Sequence, residues 1–250
     1  MWTDTHCHLD QFADPGQVLD EARAEGVSRV VAVSEDFNSM RRVLELKRQY
    51  PDQVLAGLGL HPVWVVQHRD AVESALTWLE KALPTADELG EVGLDHKWAT
   101  EPSDQLWQEE VLERQFDMAA RCGKPVNLHA RRCLRQVMER AIAFRRRTGL
   151  NAQMHWFTQS KKLIRICNDE GLYVSVGPTV LLDEQTQRVV REIDDELLLL
   201  ETDAPVPVGG DPGHPRRLRA VVECAARLRG LETSEITALC AANFTRFLSA

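Results

Sequence analysis

The 250-residue chain contains no apolar run near the roughly 18 residues needed to cross a bilayer. Its first residues, MWTDTHCHLD, are too polar for a secretory leader. No CxxC pair occurs among Cys7, Cys122, Cys133, Cys167, Cys224 and Cys240. That excludes a short disulfide framework, and the scattered thiols read as reduced groups of a cytoplasmic protein. No glycine-rich phosphate loop follows an early strand, as an open nucleotide-binding sheet would require. Internal repeats, low-complexity segments and linkers are also missing. The net charge of −8 lacks the basic surplus of a protein that coats nucleic acid. Global charge does not exclude a local basic patch, and carboxylates gathered around a cation lower the count without repelling a substrate.

What the chain does contain is a regular alternation of apolar, strand-like runs with amphipathic stretches, the pattern of a parallel α/β sheet. The runs predict strands at about 2–8, 27–33, 54–60, 89–94, 125–130, 151–156, 171–176 and 197–202. Helices are predicted near 15–25, 37–49, 70–83, 103–121, 131–147, 159–169, 183–192, 214–229 and 233–247. Asp14-Pro15-Gly16 opens the first helix, and Gly26, Gly149 and Gly171 suit helix C-terminal caps. Eight strands, each followed by a helix, fit a closed (β/α)8 TIM barrel formed by a single domain over 1–250. PVPVGGDPGHP (205–215) is the most loop-like stretch and is expected to cover a site.

Six metal-ligand side chains fall where these strands end: His6, His8, Glu91, His129, His155 and Asp203. In a barrel, strand C-terminal ends converge on one face, so residues distant in sequence meet there. His6 and His8, two apart, share a face on which they can grip one cation, while Cys7 points away. Asp4 has the same parity and is expected to orient an imidazole by accepting from its second nitrogen. Glu91 sits in an apolar strand, where an unpaired carboxylate costs several kcal/mol. Its partner is then a cation, or else a buried lysine or arginine. A carboxylate can also bridge two cations through its two oxygens. His129 and His155 end consecutive strands and can hold a second cation, or serve as core or capping histidines. Asp203 follows LLLLET and either accepts a proton from water at the metals or caps the next segment. Glu201, of the same parity, reads as a supporting group rather than a ligand. Two cations roughly 3.5–4 Å apart would activate a water and neutralise an oxyanion in phosphoester hydrolysis. Imidazoles suit zinc and manganese, whereas carboxylates with phosphate suit magnesium and manganese.

DTHCHLD, GEVGLD, LHAR, HWF and ETDAP, in this order, resemble the TatD-like metal-dependent deoxyribonucleases of the amidohydrolase superfamily. The resemblance runs from Asp4 to the terminal AANFTRFL. It implies a TIM barrel with His6 and His8 on one divalent ion, Glu91 bridging, His129 and His155 on the other, and Asp203 assisting the water. It implies hydrolysis of DNA, often 3′→5′ and on single strands. Diverged members occur in bacterial antiviral defence assemblies, which extends the implication to protein partners of a defence or repair complex. The departures from the family pattern lie beside the ligands: Ala130 for a common serine, Trp156-Phe157 for Cys-Phe, His96-Lys97-Trp98 after Gly-Leu-Asp, and Gly213-His214-Pro215 for Asn-Glu-Pro.

For substrate contact, Arg131 matches the family arginine beside a ligand, whereas the run Arg145–Arg147 reads as a solvated helix end. His61, in GLGLHPVW, either faces the phosphate or caps the next segment. Trp64 and Trp98 are placed on loops at the same face, to stack on bases or to pack against neighbouring loops. Two other readings fit the barrel. One is a hydrolase of a small cyclic amide, lactone or phosphoester, which often uses a carboxylated lysine as the bridge; here Glu91 holds that slot and no lysine ends a predicted strand. The other is a silent barrel subunit of a larger assembly, which loss of ligands would signal and no loss supports.

Overall fold

Eight parallel strands pair in strict chain order in a computed structural model that describes residues 1–158 and 160–249. They are β1 (Trp2–Cys7), β2 (Val27–Val33), β3 (Val54–Leu58), β4 (Glu88–Asp95), β5 (Val126–Arg131), β6 (Ala152–Met154), β7 (Tyr173–Val176) and β8 (Leu198–Leu200). Ten α-helices accompany them among the described residues: α1 (Pro15–Ala24), α2 (Phe37–Gln49), α3 (Pro62–Gln67), α4 (Arg69–Ala82), α5 (Pro102–Cys122), α6 (Leu134–Thr148), α7 (Lys161–Glu170), α8 (Glu184–Glu192), α9 (Leu218–Arg229) and α10 (Thr233–Leu248). The expected barrel is therefore present. Its β8–β1 seam is joined by backbone hydrogen bonds from Asp203 N to His6 O (2.9 Å) and from His8 N to Ala204 O (2.7 Å). Those bonds bring two ligand-bearing segments, 197 residues apart in sequence, side by side.

Local chemistry explains where the elements begin and end. Asp14 accepts from Gln17 N with Pro15 at the first helical position, so α1 starts where the sequence predicted. Asp36 and Ser39 form a reciprocal capping box on α2. Gly149 ends α6 with φ 76°, a backbone region that costs other residues a Cβ clash. The predicted helix 159–169 begins on residue 159, which lies outside the described residues, and α7 runs from Lys161. The helix predicted from 214 instead opens with a 3-10 turn, Pro215–Arg217, before α9.

The main departure is α3, a two-turn helix between β3 and α4. Pro62 at its first position and His61 as its cap convert PVWVVQ from the expected loop into helix. The stretch 205–215 covers less of the site than expected. Arg217 holds it through Val208 O and Asp211 O, and His214 turns to Glu21 on α1 at 3.2 Å.

The apolar core fills the layer between strands and helices, with Phe116 of α5 against Phe144 of α6 at 4.9 Å. β4 is buried along its whole length, yet it carries Glu88, Glu91 and Asp95. Three carboxyl groups on one fully buried strand cost several kcal/mol unless each finds a partner.

Candidate metal centre

Glu91 is the hub. Its Oε2 lies 3.5 Å from both His6 Nε2 and His8 Nε2, and its Oε1 lies 2.9 Å from His155 Nε2 and 2.8 Å from His129 Nδ1. Each carboxylate oxygen thus faces a different pair of imidazoles. Asp203 joins the first set, its Oδ1 3.4 Å from His6 Nε2 and 3.2 Å from His8 Nε2. The rings of His6 and His155 stack at 3.9 Å, which locks the two sets against each other. All six sequence-predicted ligands therefore converge within hydrogen-bonding distance of a single carboxylate or of Asp203.

Among the described residues, positive φ values occur at three non-glycine positions, Arg132 (62°), Trp156 (46°) and Asp203 (52°), and all three line the same open cavity of about 690 Å³. Such backbone costs on the order of 1–3 kcal/mol each and persists only where surrounding bonds enforce it. Here Trp156 N is held by Glu201 Oε1 at 2.6 Å and Asp203 N by His6 O. Gly93 admits no side chain. With φ 152°, a Cβ would lie 2.0 Å from His129 O, so only glycine lets β4 approach β5 this closely.

Whether these residues fit a cation can be tested on their unmet bonds. His6 Nε2 and Asp203 Oδ1 are buried without a hydrogen-bond partner although they face each other. Burial disfavours a charged His8, yet Asp203 and Glu91 overrule it and raise its pKa to about 10. His155 is likewise raised despite its burial, by Glu91 and Glu201. Burial would raise the carboxyls of Glu91 and Asp203, but the surrounding imidazoles pull both below the usual range. A site that demands positive charge between two carboxylates and four imidazoles is the donor set of a divalent cation. Ligand atoms of His6, His8 and Asp203 lie close enough to share one ion, and Glu91 groups in the same way with His6 and His155 and with His61 and His129.

The far sides of the His129 and His155 rings face carboxylates. His129 Nε2 lies 3.2 Å from Asp95 Oδ2, and His155 Nδ1 lies 3.7 Å from Glu201 Oε1, whose other oxygen accepts from Ser175. Asp4 does not take the part expected of it. It accepts from Thr202 N (2.9 Å), from the Thr202 hydroxyl and from His6 N, tying β1 to the end of β8. The acceptor at His6 Nδ1 is instead Asn127 Oδ1, at 3.1 Å. The amide is closer because Asn127, two residues before His129, faces β1 across the barrel.

Among the expected substrate contacts, Arg131 ends β5, is exposed and lines the cavity. The run Arg145–Arg147 is occupied elsewhere, by Asn151, Glu170 and Asp117. His61 takes the capping role: Nδ1 accepts from Val63 N at 3.2 Å, while Nε2 stands 3.8 Å from Glu91 Oε1. Burial, followed by His129, lowers its pKa to about 3, so the ring is neutral. Trp98 is 55% exposed at the cavity rim. Trp64 is a correction: it lies on α3, half-buried against the core and stacked on His68 at 5.0 Å, away from the cavity lining.

Sequence reasoning missed Asp95, Asn127, Glu35, Arg132 and Trp156. Asp95 and Asn127 carried a usable signal, since each shares strand parity with a ligand, Glu91 and His129 respectively. Glu35 lies just past the end of β2 and comes within reach of His8 and Glu91. Trp156 directly follows a ligand, and Arg132 directly follows Arg131.

The chain matches the TatD related DNase family over residues 3–249. It is 32% identical to a Bacillus subtilis protein named uncharacterized metal-dependent hydrolase YabD, covering 98% of each chain. It is 28% identical to the human protein named deoxyribonuclease TATDN3, over 93% of this chain and 89% of that one. Its fold is similar to that of YjjV, a TatD homologue from Escherichia coli, with a TM-score of 0.88 and 27% identity over 100% of this chain and 98% of that chain. With family match, barrel and ligand set in agreement, the chain belongs to the TatD-related DNase family of metal-dependent hydrolases.

Proposed function

We propose that this protein hydrolyses phosphodiester bonds of DNA as a 3′→5′ exonuclease on single strands, with two divalent cations (zinc, magnesium or manganese) as cofactors. The observation that carries the reading is the division of Glu91, one oxygen toward His6 and His8 and the other toward His129 and His155. His6, His8, Asp203 and Glu91 would hold one ion, and Glu91, His129 and His155 the other. When bound, such a pair lowers the pKa of a water and neutralises charge on the phosphoryl group.

The remaining work belongs to the chain. Asp203 receives the proton of the attacking water, a task for which the imidazoles around it keep it ionised. Asp95 holds the ring of His129 in place, and Glu201 sets a negative charge 3.7 Å from Nδ1 of His155. His61, whose Nδ1 accepts from Val63, carries its proton on Nε2 and donates toward a phosphate oxygen. Arg131 and Arg132 make no ion pair with described residues and supply positive charge to the DNA backbone. Trp98 and Trp156 offer aromatic faces to splayed bases, worth about 1–3 kcal/mol each.

The open cavity with two unpaired arginines and two tryptophans favours a polyanion over a small cyclic amide. The name of the human relative points the same way. Six unpaired cysteines and the lack of a membrane-crossing helix among the described residues support a cytoplasmic setting. The test is cleavage of end-labelled single- and double-stranded DNA with Mg²⁺, Mn²⁺ or Zn²⁺ and an EDTA control. Stepwise shortening from the 3′ end, abolished by EDTA, is expected; no cleavage with any of the ions overturns the reading.

A further inference from the structure

The distal nitrogen of His6 meets an amide, whereas that of His129 meets the carboxylate of Asp95. A neutral imidazole has one proton to place. On Nδ1, it leaves the Nε2 lone pair facing Glu91 and Asp203; on Nε2, it blocks that nitrogen as a ligand. The choice depends on which end of the Asn127 amide meets the ring, because the oxygen accepts and the NH₂ donates.

The opposite end of that amide decides it. Asn127 Nδ2 lies 2.9 Å from Glu88 Oε1 and 3.3 Å from the Thr5 carbonyl oxygen. The Thr5 carbonyl can only accept, and Glu88 Oε1 accepts in this arrangement. Rotating the amide by 180° would press its oxygen against the Thr5 oxygen and turn two donors on His6. Glu88 and Asn127 are both fully buried, and among the described residues Glu88 makes no ion pair and its Oε2 has no hydrogen-bond partner. A carboxyl in that position costs several kcal/mol relative to an apolar side chain of similar size, so packing does not account for it. Burial pushes its pKa up to about 8.

We propose that Glu88 and Asn127 are positioning residues for His6: Glu88 orients the Asn127 amide, and the amide selects the Nδ1–H tautomer that leaves Nε2 available to a cation. The inference rests on the ligand role proposed above for His6, and its test needs no DNA. In the metal-free, full-length protein, long-range ¹H–¹⁵N correlation of the imidazole nitrogens reads the tautomer directly. Competition with a chromophoric chelator reads Zn²⁺ and Mn²⁺ affinity.

The unmutated protein should show His6 protonated on Nδ1. Glu88→Gln, which keeps an acceptor oxygen, should match it in tautomer and in affinity. Glu88→Met, which fills the space without an acceptor, should populate the Nε2–H form and bind metal about 10–100-fold more weakly, the usual range for a group that orients a ligand. An Nε2–H tautomer in the unmutated protein overturns the proposal whether or not Glu88→Met folds. So does a Glu88→Met protein with wild-type tautomer and affinity, or a Glu88→Gln loss as large as that of Glu88→Met. If tautomer and affinity behave as stated while no DNA is cut, the proposed substrate fails and the positioning role stands.

Discussion

In the proposed reaction, Asp203 is the residue on which the chemistry turns. It shares His6 and His8 with Glu91, so its removal as a base leaves five other groups to hold cations. Asparagine keeps its shape and one oxygen while removing its basicity. Asp203→Asn should therefore bind metal and DNA nearly normally but lose about 10²–10⁴-fold in kcat, the range for a positioned acid–base group. Titration of metal content beside single-turnover cleavage separates the two effects; loss of the ions would make Asp203 a holding group first. The two arginine clusters can be ranked in the same way. Arg131 opens on the cavity, whereas Arg145, Arg146 and Arg147 are tied to Asn151, Glu170 and Asp117. Arg131→Ala should weaken DNA binding and flatten its salt dependence by about one charge. A triple alanine replacement of Arg145–Arg147 should leave both unchanged, and binding isotherms between 50 and 200 mM salt, a range over which phosphate contacts are strongly screened, decide the matter.

At the scale of elements, the site depends on how closely β4 approaches its neighbours. Gly93 pairs with His129 across the β4–β5 ladder, and a methyl group there would meet the His129 carbonyl. Gly93→Ala should cost about 1–3 kcal/mol in stability, as overpacking does, and should weaken metal binding as well because the displaced strand carries a ligand. Phe144→Ala, by contrast, empties the α5–α6 contact outside the cavity lining. It should cost about 3–5 kcal/mol with metal affinity intact in chelator competition. Equal losses of affinity in the two variants would mean that general loosening, rather than β4–β5 spacing, governs the site.

At the scale of the molecule, burial of carboxyls sets the response to pH. In the metal-free protein, burial raises both Asp4 and Glu88 to about 8, above their ordinary values of 3.8 and 4.5. The folded state therefore holds protons that the unfolded chain releases. The resulting stability is fully present below the unfolded pKa values and is lost as pH rises through about 8. The melting temperature should accordingly fall between pH 5 and pH 8.5, values chosen to bracket that window. Glu88→Gln should lessen the slope, and an unchanged slope in that variant would show that Glu88 is ionised in the folded protein.

Much of this was legible along the chain, because alternation of apolar runs, helix caps and ligand types at strand ends are local patterns with local causes. Strand β2 and helix α2 fall on their predicted bounds, since VSRVVAV and the Asp36 cap each act within a few residues. The six ligand types were likewise readable, because strand ends in a barrel share one face whatever lies between them. Helix α3 was not readable, since a short apolar run after a proline suits loop and helix alike until the core takes up its face. The same packing removed Trp64 from the cavity. The partner of His6 was also settled only in three dimensions: Asp4 lay nearest in sequence, but closure of the barrel placed it on Thr202 and brought Asn127 from β5 across to the ring. Sequence by itself determined which groups stand at the ends of the strands, because periodicity and caps are properties of neighbouring residues. Tertiary structure alone decided which nitrogen of each imidazole faces the two carboxylates, because that depends on contacts between residues tens to more than a hundred positions apart.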